Sequence, residues 1–562
     1  MRVIIMGGVA GGMSAATRLR RLDEQAEIVI FERGPHVSFA NCGLPYALGG
    51  VIEERQSLLL QTPESLAQRF DLDVRVNHEV LSIDREAHEI LVADTLSGET
   101  RIEPYDALIL SPGVSPVRLP SDDSVPVVAL HTVPELDTML ATLDATPGTP
   151  VVVAGAGFIG LEVAENLVHR GIPVTLVQRS PQVLAPLDPE MAALLTDRLR
   201  DNGVDLRLST RVDRIEAGEV VLSDGSTHRP AMVVNAIGVR PNTQVAAAAG
   251  LAIGPSGGIV VDAQQRTSDP AILAVGDAAE KVDAVDGQTT IVTLAGLANR
   301  HGRAAADTIA GMETTAAPAL GTSVIGLFGL VAASTGWSER RLIAAGRAHH
   351  AVHIHPSSHA GYYPGATTLT LKLLVDSETD EILGAQAVGT EGAARRIDVI
   401  ATAIAGGITA SALSRLELAY APQFGSAKDP VNQLGYVAEG RANGSSPAVQ
   451  WHQLESELAA GALLIDVRSA GEFARETIPG ATNIPVDDLR ERHGELAGRR
   501  VIVHCQVGQR GHTATRLLRQ LGIDALNLDG GFLTWKAGVR ATATAALEGA
   551  GEGTGAARSS QA

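Results

Sequence analysis

The sequence predicts an α/β protein made of two similar α/β units, an α+β unit and a smaller α/β unit. Three observations carry this. Strands and helices alternate through most of the first 320 residues, the pattern of parallel sheets. Val3 to Glu32 and Val151 to Gln178 repeat one design: strand, glycine-rich turn, helix, strand. From about Thr322 to Arg441 the pattern changes to alternating runs such as Thr368-Leu369-Thr370-Leu371-Lys372-Leu373-Leu374-Val375, which predict antiparallel strands, accompanied by helical stretches such as Gly392 to Ala405. A compact α/β stretch follows from about Val449 to Val539.

The composition narrows the class. A chain of 562 residues implies three or four domains, and 45% hydrophobic content is ample for their cores. Aromatic residues make up 3%, so those cores are mainly Ala, Val, Leu and Ile. The formal charge of −19 argues against nucleic acid or an anionic membrane as the main partner. An anionic ligand would need local Arg or Lys pockets. Two cysteines imply a reducing compartment without a disulfide scaffold. Met1 to Met6 reads as a first strand running into glycines, not as a signal peptide, and no apolar run reaches membrane-spanning length. The expectation is a soluble, cytoplasmic protein. No metal site is read from the sequence.

The first glycine turn is Gly7-Gly8-Val9-Ala10-Gly11-Gly12. Small residues let the backbone approach a pyrophosphate at a helix N-terminus, where free N–H groups point outward. Val9 replaces the middle glycine of the usual pattern. The following strand ends at Glu32, an acid placed to hold a ribose diol. The second turn, Gly155-Ala156-Gly157-Phe158-Ile159-Gly160, is complete. Its second strand ends in Gln178-Arg179 rather than an acid. Gln178 does not repel a 2′-phosphate and Arg179 can attract one, or be a solvated surface charge, so NADH and NADPH both remain open.

Thr267 to Asp277 is a strand ending in Gly276-Asp277. Together with the two glycine turns it resembles the pyridine nucleotide–disulfide reductase superfamily, across about residues 1 to 440. Ser111-Pro112-Gly113 and Ala236-Ile237-Gly238 match its two crossover strands. The resemblance implies an FAD-binding domain at 1–112 and 250–320 and an NAD(P)-binding domain at 113–249. A dimerisation domain follows at 321–440 and a linker at 441–448. Asp277 would bond the FAD ribitol, and Glu162 would orient the nicotinamide; a helix-surface salt bridge is the other reading of Glu162.

Cys42 lies in Ser38-Phe39-Ala40-Asn41-Cys42-Gly43-Leu44-Pro45-Tyr46 with no second cysteine nearby. The second sulfur would therefore come from a ligand. The segment resembles the coenzyme A–disulfide reductase branch, which implies Cys42 as a nucleophile forming a mixed disulfide with coenzyme A. A structural cysteine is the alternative. Single-cysteine peroxidases and oxidases usually carry a His at the position of Ala10, a departure that weighs against peroxide or oxygen chemistry. For the coenzyme A phosphates the resemblance points to Arg18 and Arg21, one helical turn apart, or else these are an exposed helix face. Ser38 and Asn41 would flank the pantetheine thiol.

In the third unit, His359-Ala360-Gly361-Tyr362-Tyr363-Pro364-Gly365 and Leu418 to Pro430 also match the family. Relatives are homodimers in which this domain reaches the partner's flavin. Tyr362 and Tyr420 would then donate protons or hydrogen bonds to a leaving thiolate; the alternative is interface packing. Lys428 would contact a coenzyme A phosphate.

Val501 to His504 is a short strand delivering Cys505 to the loop Cys505-Gln506-Val507-Gly508-Gln509-Arg510-Gly511, with a helix expected from Thr513 to Leu521. Loop N–H groups and the helix N-terminus stabilise a thiolate or persulfide, and Arg510 offers a guanidinium to an anionic sulfur donor. With Leu464 to Arg468, Glu472-Phe473, Ile478 to Pro485 and Asp529 to Trp535, this stretch resembles a rhodanese domain, taken as 449–545. Asp466, Arg468 and Glu472 read as structural. Glu476-Thr477 departs from the Gly-His common in relatives. A catalytically dead interaction module is the other reading. Residues 546–562, rich in Gly, Ala and Ser, read as a disordered tail.

The expected activity is NAD(P)H-dependent, FAD-mediated reduction of coenzyme A persulfide or polysulfide, with sulfane sulfur supplied through Cys505 from polysulfide or thiosulfate. Coenzyme A–disulfide reduction is the alternative; an oxidase or peroxidase, or a redox sensor, follows behind.

Overall fold

The structure, a computed structural model, describes the backbone of residues 1–549 and the side chains through residue 543. Those residues form two compact units. The first comprises Met1–Val174, Val212–Val221 and Thr227–Gly321; the second comprises Thr175–Arg211, Leu222–Ser226 and the chain from Thr322 onward. The stretch expected as the NAD(P)-binding domain is thus divided between them.

The first unit is built on a five-stranded parallel sheet. Its order is Ile272–Ala274, Ala107–Leu110, Arg2–Met6, Glu27–Glu32, Asp73–Val76. The opening strand is central, with the next strand on one side and a later one on the other. The turn leaving Met6 therefore sits at a topological switch point, where open α/β sheets bind ligands. Both faces of the sheet are buried, which explains its near-continuous apolar strands. Val3, Ile5, Ile28 and Ile30 pack with Ala15 and Leu19 of the helix Ala10–Leu22. Ile4, Val29 and Phe31 face the other way and pack with Val80, Ile90 and Val92. That second face is covered by an antiparallel meander, His78–Asp84, Glu89–Asp94 and Thr100–Pro104. Ile90 and Val92 are buried between part-exposed neighbours, the period of a half-buried strand.

The same unit holds the parallel strands Val127–Val128, Met232–Asn235 and Val151–Ala154, the last buried throughout. The crossover segments Val114–Pro116 and Val239–Pro241 pair as an antiparallel ribbon.

In the second unit, Thr175 to Val177 run parallel to Asp205–Arg207. An antiparallel sheet follows in the order Ser323–Leu327, Leu330–Gly336, Ile382–Gly389, Thr370–Asp376, His349–Ile354. Helices Ala393–Ala405 and Pro430–Ala442 bury Ile397, Ile400, Val431 and Leu434 against Leu371, Leu373 and Ala385. This is the α+β unit that the alternating runs predict.

A five-stranded parallel sheet ends the described chain, in the order Ala448–Val449, Ala525–Leu528, Val501–His504, Leu463–Asp466, Thr482–Asn483. The expected linker 441–448 is firmly held. Ser446 is buried, its hydroxyl lies 2.7 Å from His512 Nδ1, and Arg516 donates to the Ser445 carbonyl at 2.7 Å. The last helix, Gly531–Gly549, runs through the first residues of the stretch expected as a tail. Residues 550–562 lie outside the described residues. No helix among the described residues is long and apolar enough to cross a membrane.

Candidate functional site

Two glycine turns share one construction in the first unit. Gly7 has φ +100, and a Cβ there would stand 2.1 Å from the Ser111 carbonyl oxygen. Gly155 has φ +103, and a Cβ would stand 2.2 Å from the Ala236 carbonyl oxygen. In both, the glycine permits the strand to turn beside a neighbouring crossover strand. The middle positions differ: Gly157 opens onto free space, while the first loop carries the Val9 side chain. Gly12 and Gly160 let each helix press onto its own turn. Gly11 and Ala10 open the first helix; Ile159, partly exposed, lies in the first turn of the second.

Glu32 ends its strand beside the first turn. Its carboxylate accepts from the Gly8 N–H at 2.9 Å and the Gly34 N–H at 2.8 Å. Pro112 and Gly113 carbonyls accept from Asn242, which fixes the crossover after Ser111. Gly276-Asp277 forms a short 3-10 turn. Burial raises the Asp277 pKa, against the opposing charges of Lys281 and His131. Lys281 is buried and donates to the Gly276 and Ala279 carbonyls at 2.5 and 2.8 Å; burial pushes its pKa down to about 8. Gly238 has φ +129 beside the exposed Ile237.

Cys42 lies on a 3-10 turn, Asn41–Gly43, leading into the helix Leu44–Leu48. The segment is anchored to the first glycine turn: the Ser38 N–H donates to the Gly8 carbonyl at 2.8 Å, and Ser38 itself has φ +46. Asn41 Oδ1 accepts from the Cys42 N–H at 3.0 Å and lies 3.6 Å from its Sγ. The thiol is free, and its residue is exposed. Its pKa is raised by partial burial and by the charges of Glu162 and Asp277. The structure thus brings Cys42, Glu162 and Asp277 into one electrostatic neighbourhood. Tyr46 donates to Glu162 Oε1 at 3.0 Å, and burial raises the Glu162 pKa. Tyr46 is a site residue that the sequence reading did not single out.

Arg18 and Arg21 diverge. Arg18 Nε donates to Asp307 Oδ1 at 2.6 Å, so its charge is already paired; Arg21 is exposed.

In the second unit, Gln178 Nε2 donates to Ser180 Oγ at 2.5 Å, and Arg179 is exposed at the strand end. Tyr362 and Tyr420 are brought together, hydroxyl to hydroxyl at 3.0 Å. Both are exposed, as are Tyr363, Phe424 and Tyr436. Lys428 is exposed, and its carbonyl accepts from Gln433.

Cys505 follows the buried strand Val501–His504 and is itself fully buried. The helix after it is Gln509–Gln520, four residues earlier than expected, so Arg510 belongs to its first turn rather than to the loop. Gly508 in the left-handed region, φ +89, closes the loop at that point. The Arg510 guanidinium holds Glu472 in a bidentate pair at 2.8 and 2.6 Å and also interacts with the Cys505 thiol. Both effects hold its pKa above the ordinary value, the Glu472 bond first. Glu472 therefore fixes the orientation of the Arg510 guanidinium that interacts with Cys505. Arg468 pairs with Asp466 at 2.7 Å, reaches Gln506 Oε1 at 2.8 Å and lies over the Phe532 ring. Thr477 donates to Asp466 at 2.7 Å and Lys536 pairs with Glu476, which accounts for the Glu-Thr departure.

Residues 1–302 match the pyridine nucleotide-disulphide oxidoreductase family, 323–430 its dimerisation domain, and 450–538 the rhodanese-like domain. The chain belongs to the pyridine nucleotide-disulphide oxidoreductase family and carries a rhodanese-like domain; it is a disulfide or persulfide reductase. It is 34% identical to the coenzyme A disulfide reductase of Staphylococcus aureus (strain JH9) over 439 residues, 78% of this chain and all of that protein. The crystal structure of reduced Bacillus anthracis CoADR-RHD superposes with a TM-score of 0.94 at 43% identity, covering 96% of this chain and 98% of the other. An NAD-dependent persulfide reductase from A. fulgidus gives 0.89 at 33% identity, covering 95% and 100%.

The family implies FAD and NAD(P)H, and the residues present fit them. The first glycine turn and Gly276 both lie against Ser111, the Glu32 carboxylate holds the Gly8 N–H, and the second turn leaves open space at Gly157.

Proposed function

We propose that the chain is an NAD(P)H-dependent reductase of coenzyme A persulfide, releasing hydrosulfide, with the rhodanese-like domain supplying sulfane sulfur on Cys505. The observation that supports this most directly is the single exposed thiol of Cys42, anchored through Ser38 to the first glycine turn. Cys505, the other cysteine, is a buried free thiol in a different unit. In this reading the partner sulfur for Cys42 comes from substrate.

In this reading Cys42 attacks the coenzyme A sulfur of the persulfide. The Cys42–coenzyme A disulfide forms, the sulfur–sulfur bond of the persulfide breaks, and hydrosulfide leaves. FAD and NAD(P)H, when bound, would supply the two electrons that return Cys42 and coenzyme A to free thiols. Gly7 to Gly12, Glu32, Ser111 to Gly113 and Asp277 would hold FAD. Gly155 to Gly160, Glu162, Gln178, Arg179 and Gly238 would serve the nicotinamide coenzyme. Asn41 holds the Cys42 turn. Arg21 and Lys428, both exposed, would meet coenzyme A phosphates, and Arg18 would contribute by exchanging Asp307 for a phosphate. Tyr362 and Tyr420 would complete the site in a homodimer, consistent with their exposed aromatic face. The two reduced cysteines support a cytoplasmic setting.

A second reading, reduction of coenzyme A disulfide with the rhodanese-like domain as an accessory, is favoured by the 34% identical relative. Steady-state assay separates the two. NAD(P)H oxidation with stoichiometric hydrosulfide on coenzyme A persulfide supports the first. Turnover with coenzyme A disulfide alone supports the second. In either case Cys42→Ser abolishes reduction, and a fully active Cys42→Ser protein would overturn both. Mass analysis of the purified protein, showing a coenzyme A adduct on Cys42, identifies the substrate class directly.

A further inference from the structure

The rhodanese-like domain does not stand alone. It abuts the edge strand of the antiparallel sheet, His349–Ile354, through one carboxylate. Asp529 Oδ2 accepts from the His353 backbone N–H at 2.8 Å and lies 2.7 Å from His353 Nδ1. Asp529 Oδ1 accepts from Arg441 at 2.7 Å. Gln450 Nε2 donates to the Ala351 carbonyl at 3.0 Å and to Asp529 at 3.3 Å. Edge groups that would otherwise be open are thus satisfied by side chains of the last domain. Beyond His353, its Nε2 lies 3.0 Å from Glu190, which in turn binds Lys372. His353, Asp529 and Glu190 are all buried.

Asp529 is followed at once by the turn that carries the Cys505 loop. Gly530 and Gly531 both lie in the left-handed region, at φ +65 and +63. A Cβ on Gly530 would stand 2.0 Å from Thr534 Oγ1 and 2.8 Å from the His353 Cβ. A Cβ on Gly531 would stand 2.6 Å from the Cys505 carbonyl oxygen and 2.7 Å from the Gly508 nitrogen. The Phe532 and Leu533 N–H groups donate to the Cys505 and Gln506 carbonyls at 2.8 and 3.1 Å. Two glycines are therefore the whole thickness between an edge strand outside the domain and the backbone of the sulfur loop.

We propose that His353, which lies outside the rhodanese-like domain, is a positioning residue for Cys505: it fixes Asp529, and Asp529 fixes the glycine turn on which the Cys505 loop rests. The geometry needs no further partner. Both ring nitrogens of His353 face carboxylate oxygens, so the ring is held from two sides and cannot rotate without breaking a buried bond. A displacement of Asp529 passes directly into the loop backbone, because nothing compressible separates them. This inference rests on the reading of Cys505 as the sulfur carrier.

The test uses the full-length protein loaded with FAD. Thiosulfate-to-cyanide sulfur transfer is measured beside NAD(P)H reduction of coenzyme A disulfide in the same preparation. His353→Ala is expected to lower the kcat of sulfur transfer about tenfold to a hundredfold, the cost of a small misplacement of a reacting group. The KM for thiosulfate should change little, and disulfide reduction should hold. His353→Gln, which keeps a side-chain donor, should recover part of the loss. Gln450→Ala, which removes one outer bond of Asp529, should give a smaller loss in the same kcat and serves if His353→Ala does not fold. Full sulfur-transfer kcat in both His353→Gln and Gln450→Ala, with Cys505→Ser inactive, would overturn the positioning role. Transfer that survives Cys505→Ser would instead bring down the sulfur-carrier reading, and the inference with it.

Discussion

Tyr46 and Glu162, 116 residues apart, meet at 3.0 Å and tie the helix after Cys42 to the helix after the second glycine turn. The contact is reinforced nearby. Arg170 donates to the Leu48 carbonyl at 3.0 Å, and a Cβ on Gly49 would strike Asn166. The cysteine turn therefore sits under the field of Glu162.

That field has a measurable sign. Burial and then the Glu162 charge raise the Cys42 pKa. Glu162→Gln removes a negative charge, so the Cys42 pKa should fall. The pH profile of alkylation by iodoacetamide in a Cys505→Ser background would show its midpoint moving to lower pH. An unmoved midpoint would show that Glu162 does not act on the thiol.

The tyrosine pair makes a second prediction. Hydrogen bonding to Tyr362 raises the Tyr420 pKa. In Tyr362→Phe the Tyr420 pKa should relax downward, visible as earlier tyrosinate absorbance on alkaline titration. If the pair assists a leaving thiolate, either Phe variant should also lower reductase kcat, by about a hundredfold for a full acid role. A reductase rate equal to the parent's in both variants would assign the pair to packing alone.

His353 predicts an alkaline limit. Burial lowers its pKa, but the bonds to Asp529 and Glu190 outweigh this and hold it up to about 9, against the opposing Lys372 charge. Its other neighbours are fixed in charge or neutral there: Asp529 is held below the usual carboxylate range, and His355 is pushed down to about 3. A raised histidine stabilises fully below its ordinary value of 6.5, and that contribution is lost as pH rises through about 9. Sulfur transfer should decline across that window, and the decline should vanish in His353→Gln. The same alkaline decline in His353→Gln would place its origin elsewhere.

Lys372 is fully buried among Asp188, Glu190 and Glu339, at 2.9, 2.5 and 2.6 Å. Its ammonium lies where these three carboxylates could otherwise converge on a cation. Removing one partner of a buried ionic cluster costs about 3–5 kcal/mol. Lys372→Met should therefore lower the melting temperature by about 3–4 °C, measured calorimetrically on the full chain. An unchanged melting temperature would show the cluster to be neutral for stability.

Lys372 also shows where the sequence ran out. Alternation in Thr368 to Val375 gives the strand, but a lysine in that pattern reads as solvent-facing. The carboxylates that bury it come from residues 188, 190 and 339, and nothing local announces them. The glycine turns were legible because their constraint is backbone sterics, written in the residues themselves. The start of the helix at Gln509 was not, since Gln509 to His512 carry no apolar period and the stop signal is the sign of one φ angle at Gly508. The same holds for Arg18, whose partner Asp307 is 289 positions away. The Cys42 and Cys505 segments were readable as chemistry; Tyr46, Glu472 as an orienting group and His353 depend on contacts made only after folding.

The docked edge strand has one more consequence. A chain shortened to end after Ala442 would lose Gln450 and Asp529, leaving the Ala351 carbonyl and the His353 N–H unpaired at a sheet margin. Open margins recruit strands from other molecules. Such a truncated protein should self-associate by intermolecular strand addition, which light scattering of the shortened chain would show.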